Sequence, residues 1–265
     1  MTAPSTHPDA SDASDASGAT GLSGTPGPSG TPGTPETSDL RLVVLDMAGT
    51  TVADGGLVER AFSRAAAELG VEPGSADHTA KLDYVRATMG ESKITVFRAL
   101  FGEEETAQRG NAAFETAYAE LVDGGECRPL PGARETIEEL RESGRKVVLT
   151  TGFSRVTQDA ILDALGWRGL ADLTLCPADA GRGRPYPDMV LTALLRTGTD
   201  SVRQIAVAGD TAYDMLTGVR AGAPLVAGVL TGAHGEAQLT AAGATHILGS
   251  VAELPAAMAR AQAPR

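Results

Sequence analysis

The stretch Leu42-Val43-Val44-Leu45-Asp46-Met47-Ala48-Gly49-Thr50-Thr51 decides how the chain is read. Four consecutive apolar residues are too few for an ordinary helix, and they end abruptly at a carboxylate and a glycine. A strand buried on both faces has this appearance. The pattern recurs. Lys146-Val147-Val148-Leu149 leads into Thr150-Thr151-Gly152, Leu173-Thr174-Leu175-Cys176 into a polar loop, and Ile205-Ala206-Val207-Ala208 into Gly209-Asp210. A further run, Pro224-Leu225-Val226-Ala227-Gly228-Val229, follows Ala221-Gly222. Helical stretches are expected between these runs at 133–143, 154–165, 187–197 and 214–221. Strands alternating with helices predict an α/β fold with a doubly wound parallel sheet, whose ligands bind beyond the carboxyl ends of the strands.

The stretch 56–125 breaks this rhythm. It has helical periodicity (57–69, 76–88, 93–100 and 105–122) and no buried-strand run. It reads as a helical cap inserted into a core made of 39–55 and 126–265, covering the strand ends. Residues 1–38 are Ser, Thr, Gly, Pro, Ala and Asp with almost no large apolar side chain. Such a segment buries too little to offset its ordering entropy and reads as a disordered acidic tail.

Composition narrows the function classes. With 42% hydrophobic but only 4% aromatic residues, the core is expected to be built from Ala, Val, Leu and Ile. A net charge of −12 argues against nucleic acid or an anionic membrane as partner. No apolar run approaches the ~20 residues that span a bilayer, and the N-terminus has no secretory pattern. Cys127 and Cys176 make no disulfide framework, which suggests free thiols and a cytoplasmic setting.

The chemistry-bearing residues gather at the predicted strand ends. Asp46 alone would read as a turn or helix cap. Gly209-Asp210-Thr211-Ala212-Tyr213-Asp214 brings two more carboxylates to a second strand end. Three converging carboxylates call for a cation, and oxygen ligands without His or Cys favour Mg²⁺. Thr151 and Gly152 offer hydroxyl and backbone N–H donors to a phosphoryl group. Arg184, in Gly183-Arg184-Pro185-Tyr186-Pro187-Asp188, offers a fixed positive charge, though alone it would read as a surface residue. The partner these groups suit is a small anionic molecule.

Asp-x-x-Gly-Thr after the first strand, Thr-Thr-Gly after the second, a basic residue before Pro-x-Pro-Asp, and Gly-Asp-x-x-x-Asp occur in that order. Together they resemble the haloacid dehalogenase superfamily from about Leu40 onward. The resemblance implies Asp46 as nucleophile, and Asp46, the Ala48 carbonyl, Asp210 and Asp214 around Mg²⁺. It also implies Thr151 and Arg184 on the transferring group, with Gly49, Thr50 and Gly152 binding substrate. Most phosphatases of this superfamily carry an Asp two residues after the nucleophile as general acid; here Ala48 stands there.

Ala48 together with Arg184 resembles the phosphonatase branch, which breaks a P–C bond. Expelling carbon requires an electron sink, and a lysine imine supplies one. The cap segment Met89-Gly90-Glu91-Ser92-Lys93-Ile94 resembles the lysine-bearing segment of that branch. It implies Lys93 as the imine-forming residue and Met89 in the pocket wall. On composition alone Lys93 reads as a solvated helix residue; a nearby cation would lower its pKa. The match breaks at Val96, Phe153 and Asp54-Gly55-Gly56, where the branch carries His, Tyr and a cysteine-bearing segment.

The expected activity is Mg²⁺-dependent hydrolysis of the P–C bond of a small phosphonoaldehyde. The alternatives are a phosphatase of small phosphate monoesters and a non-catalytic binding module. The resemblance also implies a homodimer formed through the cap. His7, His78, His234 and His246 fall in no motif and are expected on the surface or in loops, Tyr84 and Tyr213 in packing roles, and Met47 in the pocket wall or the core.

Overall fold

The computed structural model describes residues 39–262. The expectations for 1–38, and for His7 within them, lie outside those residues.

The chain runs through β1 (Leu42–Asp46), β2 (Val52–Ala53), α1 (Leu57–Glu68), α2 (Ala76–Ala87), α3 (Lys93–Phe101), α4 (Glu104–Asp123), β3 (Arg128–Pro129) and α5 (Ala133–Glu142). It continues through β4 (Lys146–Thr150), α6 (Arg155–Ala164), β5 (Leu173–Leu175), α7 (Pro177–Ala180), α8 (Asp188–Thr197) and β6 (Ile205–Gly209). It closes with α9 (Ala212–Ala221), β7 (Leu225–Val229), α10 (Glu236–Ala241), β8 (His246–Leu248) and α11 (Leu254–Gln262). Six strands form one sheet in the order β5-β4-β1-β6-β7-β8, and every pairing is parallel. The doubly wound reading is borne out. β2 and β3 pair antiparallel as a separate ribbon where the chain leaves the sheet for α1–α4 and returns.

Alternate residues of β1 explain why its sequence is apolar throughout. Val43 and Leu45 pack into one hydrophobic cluster, Leu42 and Val44 into another on the opposite face with Val190 and Ala193 of α8. Both faces are covered, so neither side tolerates a polar residue until the strand ends.

The aliphatic-core expectation holds for the sheet but not for the inserted helices. All five phenylalanines of the chain meet in one cluster: Phe97 contacts Phe62, Phe101 and Phe114, and Phe114 contacts Phe153. Tyr118 joins it, 4.7 Å from Phe153. Phe153 comes from the loop after β4, so it ties the sheet side to α4. On α1 the buried residues Leu57, Val58, Ala61, Phe62, Ala65 and Ala66 form the i, i+4, i+8 stripe that packs on α4.

Tyr84 and His78 depart from expectation. Tyr84 is exposed, because α2 contacts little besides α1. His78 is buried: its ring lies between the Ser63 hydroxyl and the Gly74 N–H, so a helix position that looks exposed becomes a polar contact. Met47 is fully buried in the core rather than in a pocket wall. Cys127 and Cys176 are buried and unbridged. Among the described residues, no helix is long and apolar enough to cross a membrane.

Candidate active site

β1 lies between β4 and β6, where successive strands diverge to opposite edges of the sheet. A crevice opens at the carboxyl ends of strands at such a switch point. Asp46, the last residue of β1, pairs in register with Thr150 of β4. Asp210 directly follows β6, and Asp214 lies in the first turn of α9. Ligand-capable oxygens of these three carboxylates lie within 4.8 Å of one another, and all three residues are buried.

Arg184 closes the group from below. It is 4% exposed, and its Nη2 meets Asp46 Oδ1 at 2.5 Å while its Nε meets Asp214 Oδ1 at 2.9 Å. The same Nη2 donates to Thr150 Oγ1 at 2.9 Å. Asp214 also serves as the third residue of α9's capping box: its Oδ2 accepts from the Thr211 N–H and hydroxyl, at 3.1 and 2.5 Å. Asp214 thus divides its oxygens, Oδ2 capping α9 and Oδ1 facing Arg184.

Asp210 is held by its neighbours' backbone and glycines. Its Oδ1 accepts from the Thr50 hydroxyl at 3.2 Å and its Oδ2 from the Ala233 N–H at 2.7 Å. A Cβ on Gly49 or on Gly232 would overlap its carboxylate, and Gly49 also sits at φ +88°. Gly49 and Thr50 are thus turned onto Asp210; the structure does not bring them to the cavity wall, where the resemblance places substrate contacts.

Three buried carboxylates facing one guanidinium leave two negative charges in excess. Burial raises Asp46 well above the usual carboxylate range, with Asp214 and Asp210 adding to the effect and Arg184 opposing it. Asp210 is pushed up to about 7 by burial and the Asp214 charge, against the Ala233 N–H. An all-oxygen donor set with that excess charge fits a hard divalent cation.

Above the carboxylates is a cavity of about 470 Å³. Asp46, Ala48, Thr151, Gly152, Arg184 and Asp210 line one side; Met89, Gly90 and Lys93 line the other. The Thr151 hydroxyl accepts from the Phe153 N–H at 3.2 Å, which leaves its own proton free to donate. The Met89–Lys93 segment is seated on the sheet side at three glycine contacts. A Cβ on Gly90 would lie 2.5 Å from Thr211 Oγ1, one on Gly152 2.8 Å from the Glu91 carbonyl oxygen, and one on Gly183 3.1 Å from Ser92 Cβ.

This seat buries Lys93. It is 8% exposed, with Nζ 5.5 Å from the centre of the Phe153 ring and 3.5 Å from the Glu91 carbonyl oxygen. The solvated-residue reading of Lys93 therefore fails. Burial, helped by the nearby Arg184 charge and opposed by Asp54, Asp46 and Glu91, brings its ammonium down to about 8. A useful fraction is then free amine near neutral pH.

Residues 40–222 match the family model described as haloacid dehalogenase-like hydrolase. The chain belongs to the haloacid dehalogenase-like hydrolases. A phosphonoacetaldehyde hydrolase of Bacillus cereus is 31% identical over 195 residues, covering 69% of this chain and 73% of the relative. One of Pseudomonas putida is 28% identical over 203 residues, covering 73% and 74%. The solved structure of a phosphonoacetaldehyde hydrolase-like protein from Oleispira antarctica superposes with a TM-score of 0.75 at 23% identity, covering 88% of this chain and 96% of that one. That likeness shows the fold.

This dehalogenase-like hydrolase also contains site residues that sequence reasoning passed over. Thr231, Gly232 and Ala233 follow β7 and complete the Asp210 setting; the Thr231 hydroxyl donates to the Gly49 carbonyl oxygen at 2.7 Å. The available signal was Thr231-Gly232 after a buried strand, a repeat of Thr151-Gly152 after β4. His234 is buried in the same loop. Its Nδ1 accepts from the Ala212 N–H at 2.9 Å and its backbone N–H donates to the Asp210 carbonyl oxygen at 3.2 Å, so it fastens that loop to the start of α9. Asp54, noted in the sequence only as a departure, lines the cavity.

Proposed function

We propose that this hydrolase cleaves the P–C bond of a small phosphonate bearing an aldehyde, such as phosphonoacetaldehyde, through an imine on Lys93 and a phosphorylated Asp46. One observation carries the reading: a buried lysine whose ammonium lies at about 8 shares a cavity with the carboxylate at the end of β1. Burial and a neighbouring cation let a lysine lose its proton this readily, and a solvated surface role requires neither. The names of the relatives from Bacillus cereus and Pseudomonas putida agree with it.

The residues divide the work. The free amine of Lys93 adds to the aldehyde and loses water, which leaves an iminium one bond from the C–P bond. Asp46 attacks phosphorus; its Oδ1 takes the Arg184 ion pair, which orients the carboxylate and leaves the other oxygen to react. The electrons of the breaking C–P bond pass into the iminium to give an enamine. Protonation and hydrolysis return Lys93, and water releases phosphate from Asp46. Arg184, the Thr151 hydroxyl and the Gly152 N–H stabilise charge on the phosphoryl oxygens. Asp46, Asp210, Asp214 and the Ala48 carbonyl would hold Mg²⁺, which when bound neutralises the phosphoryl charge.

Ala48 explains why a carbon rather than an alkoxide is expelled: an alkoxide leaving group needs a proton that an alanine cannot supply. The test is a panel of phosphonates and phosphate monoesters assayed with wild type, Asp46→Ala and Lys93→Ala. Phosphate release from phosphonoaldehydes that needs both residues supports the reading. Turnover of phosphate esters that persists in Lys93→Ala would replace it with a phosphatase.

A further inference from the structure

Imine formation takes a proton from the lysine and gives one to the departing hydroxyl, and one group in the cavity is placed to carry it. Four carboxylates line the cavity: Asp46, Asp54, Glu59 and Asp210. Asp46 and Asp210 belong to the cation end. Glu59 is locked in a two-pronged pair with Arg86, at 3.0 and 2.6 Å. Asp54 remains. It sits between β2 and α1, and its oxygens accept only long hydrogen bonds, 3.2 Å from the Gly56 N–H and 3.4 Å from the Val58 N–H. Among the described residues it forms no ion pair with a lysine or arginine. Yet Asp54 is the first of the charges that act to raise Lys93, and Lys93 acts in turn on Asp54.

The two side chains form no ion pair with each other, yet both line the cavity that would hold the aldehyde. Val96, one turn along α3 from Lys93, is buried in the hydrophobic cluster and offers no proton. The other charges facing the pair are Glu59 on α1, Glu91 before α3, and Arg184 and Asp46 at the sheet. Burial keeps the Asp54 carboxyl above its ordinary range, closer to the lysine than a solvated carboxylate would be.

Resting on the imine reading above, we propose that Asp54 is the acid–base residue of imine formation at Lys93. The Asp54 carboxylate takes a proton from the Lys93 ammonium. The freed amine adds to the aldehyde carbon, a C–N bond forms, and the carbonyl π pair moves to oxygen. A proton passes from nitrogen to that oxygen to give the carbinolamine. The Asp54 carboxyl then returns its proton to the hydroxyl, the C–O bond breaks, water leaves, and the nitrogen lone pair completes the iminium. Aldehyde and ammonium go in; iminium and water come out, and Asp54 ends as it began.

The experiment is rapid-quench borohydride trapping of the imine with a phosphonoaldehyde, across pH, for wild type, Asp54→Asn and Asp54→Glu. Asn keeps one acceptor oxygen, enough for the shorter bond from the Gly56 N–H, and gives up the 3.4 Å bond from the Val58 N–H. The expected result is trapping slowed by ~10² in Asp54→Asn, with loss of the pH limb that Asp54 sets. Asp54→Glu restores part of the rate with that limb displaced, and this variant decides the matter if Asp54→Asn does not fold. Trapping in both variants at the wild-type rate and pH profile overturns the assignment while leaving the imine intact. A wild type that yields no reduced adduct overturns the imine reading and this assignment with it.

Discussion

Replacing Arg184 with methionine removes the only guanidinium, among the described residues, in contact with the carboxylate triad while keeping much of the side-chain volume. In the wild type this group satisfies Asp46 at 2.5 Å, Asp214 at 2.9 Å and the Thr150 hydroxyl at 2.9 Å, all out of water. Breaking a buried ion pair by removing one partner costs about 3–5 kcal/mol, because the other charge stays buried. For a domain of this size that corresponds to a Tm lower by roughly 6–20 °C. The loss depends on pH with a definite sign. Asp46 and Asp210 both hold protons more tightly folded than unfolded, and Asp210 titrates at about 7. Between the ordinary carboxylate range and about pH 7 the folded, metal-free protein therefore binds more protons than the unfolded chain. Stability falls as pH rises through that window. Arg184→Met deepens the fall, since no cation then opposes the mutual repulsion, and acidification to pH 5 narrows the gap to wild type. Mg²⁺ acts in the same direction as the missing arginine by binding the folded state alone, so it raises the variant's Tm more than the wild type's. Thermal unfolding at pH 5 and pH 8, with and without Mg²⁺, reads all three effects. A variant within about 1 kcal/mol of wild type at pH 8 without metal, less than a buried pair is worth, would refute the reasoning. So would a gap that acid does not narrow.

Three further outcomes follow from the same geometry. Thr50→Val removes the hydroxyl that donates to Asp210 Oδ1 without changing shape, and it weakens Mg²⁺ binding by roughly 10–100-fold in a calorimetric titration. Gly152→Ala sets a methyl group 2.8 Å from the Glu91 carbonyl oxygen, unseats the segment that carries Lys93, and lowers kcat while costing about 1–3 kcal/mol in urea unfolding. Because the Lys93 ammonium titrates at about 8, the rate of amine capture by an aldehyde rises as pH increases through 8 and levels above it, which a pH profile of borohydride trapping measures.

Legibility in the sequence followed the kind of interaction each residue makes. The sheet was readable wherever a strand is covered on both faces, since β1, β4, β6 and β7 then contain apolar runs ended by Asp, Thr or Gly. β8 was missed: it is three residues long, at the sheet edge and only partly buried, so it lacks the run. The carboxylates were readable because carboxylates are scarce at buried strand ends. The bridge from Arg184 to Asp46 and Asp214 was not, since it forms through space between segments far apart in the chain. Thr231 to His234 acts on Asp210 through backbone N–H groups and the absence of a Cβ, which leaves almost no mark in residue type. Lys93 was legible only by resemblance. Its burial comes from the glycine contacts at Gly90, Gly152 and Gly183, and these are properties of the assembled loops.

The central claim is that Lys93 joins covalently to the substrate. Borohydride reduction in the presence of phosphonoacetaldehyde, followed by proteolysis and mass mapping, tests it most directly. The account predicts one stoichiometric reduced adduct on the peptide containing Lys93, absent in Lys93→Ala together with phosphate release. No adduct on Lys93, or undiminished phosphate release from the phosphonate by Lys93→Ala, would contradict it.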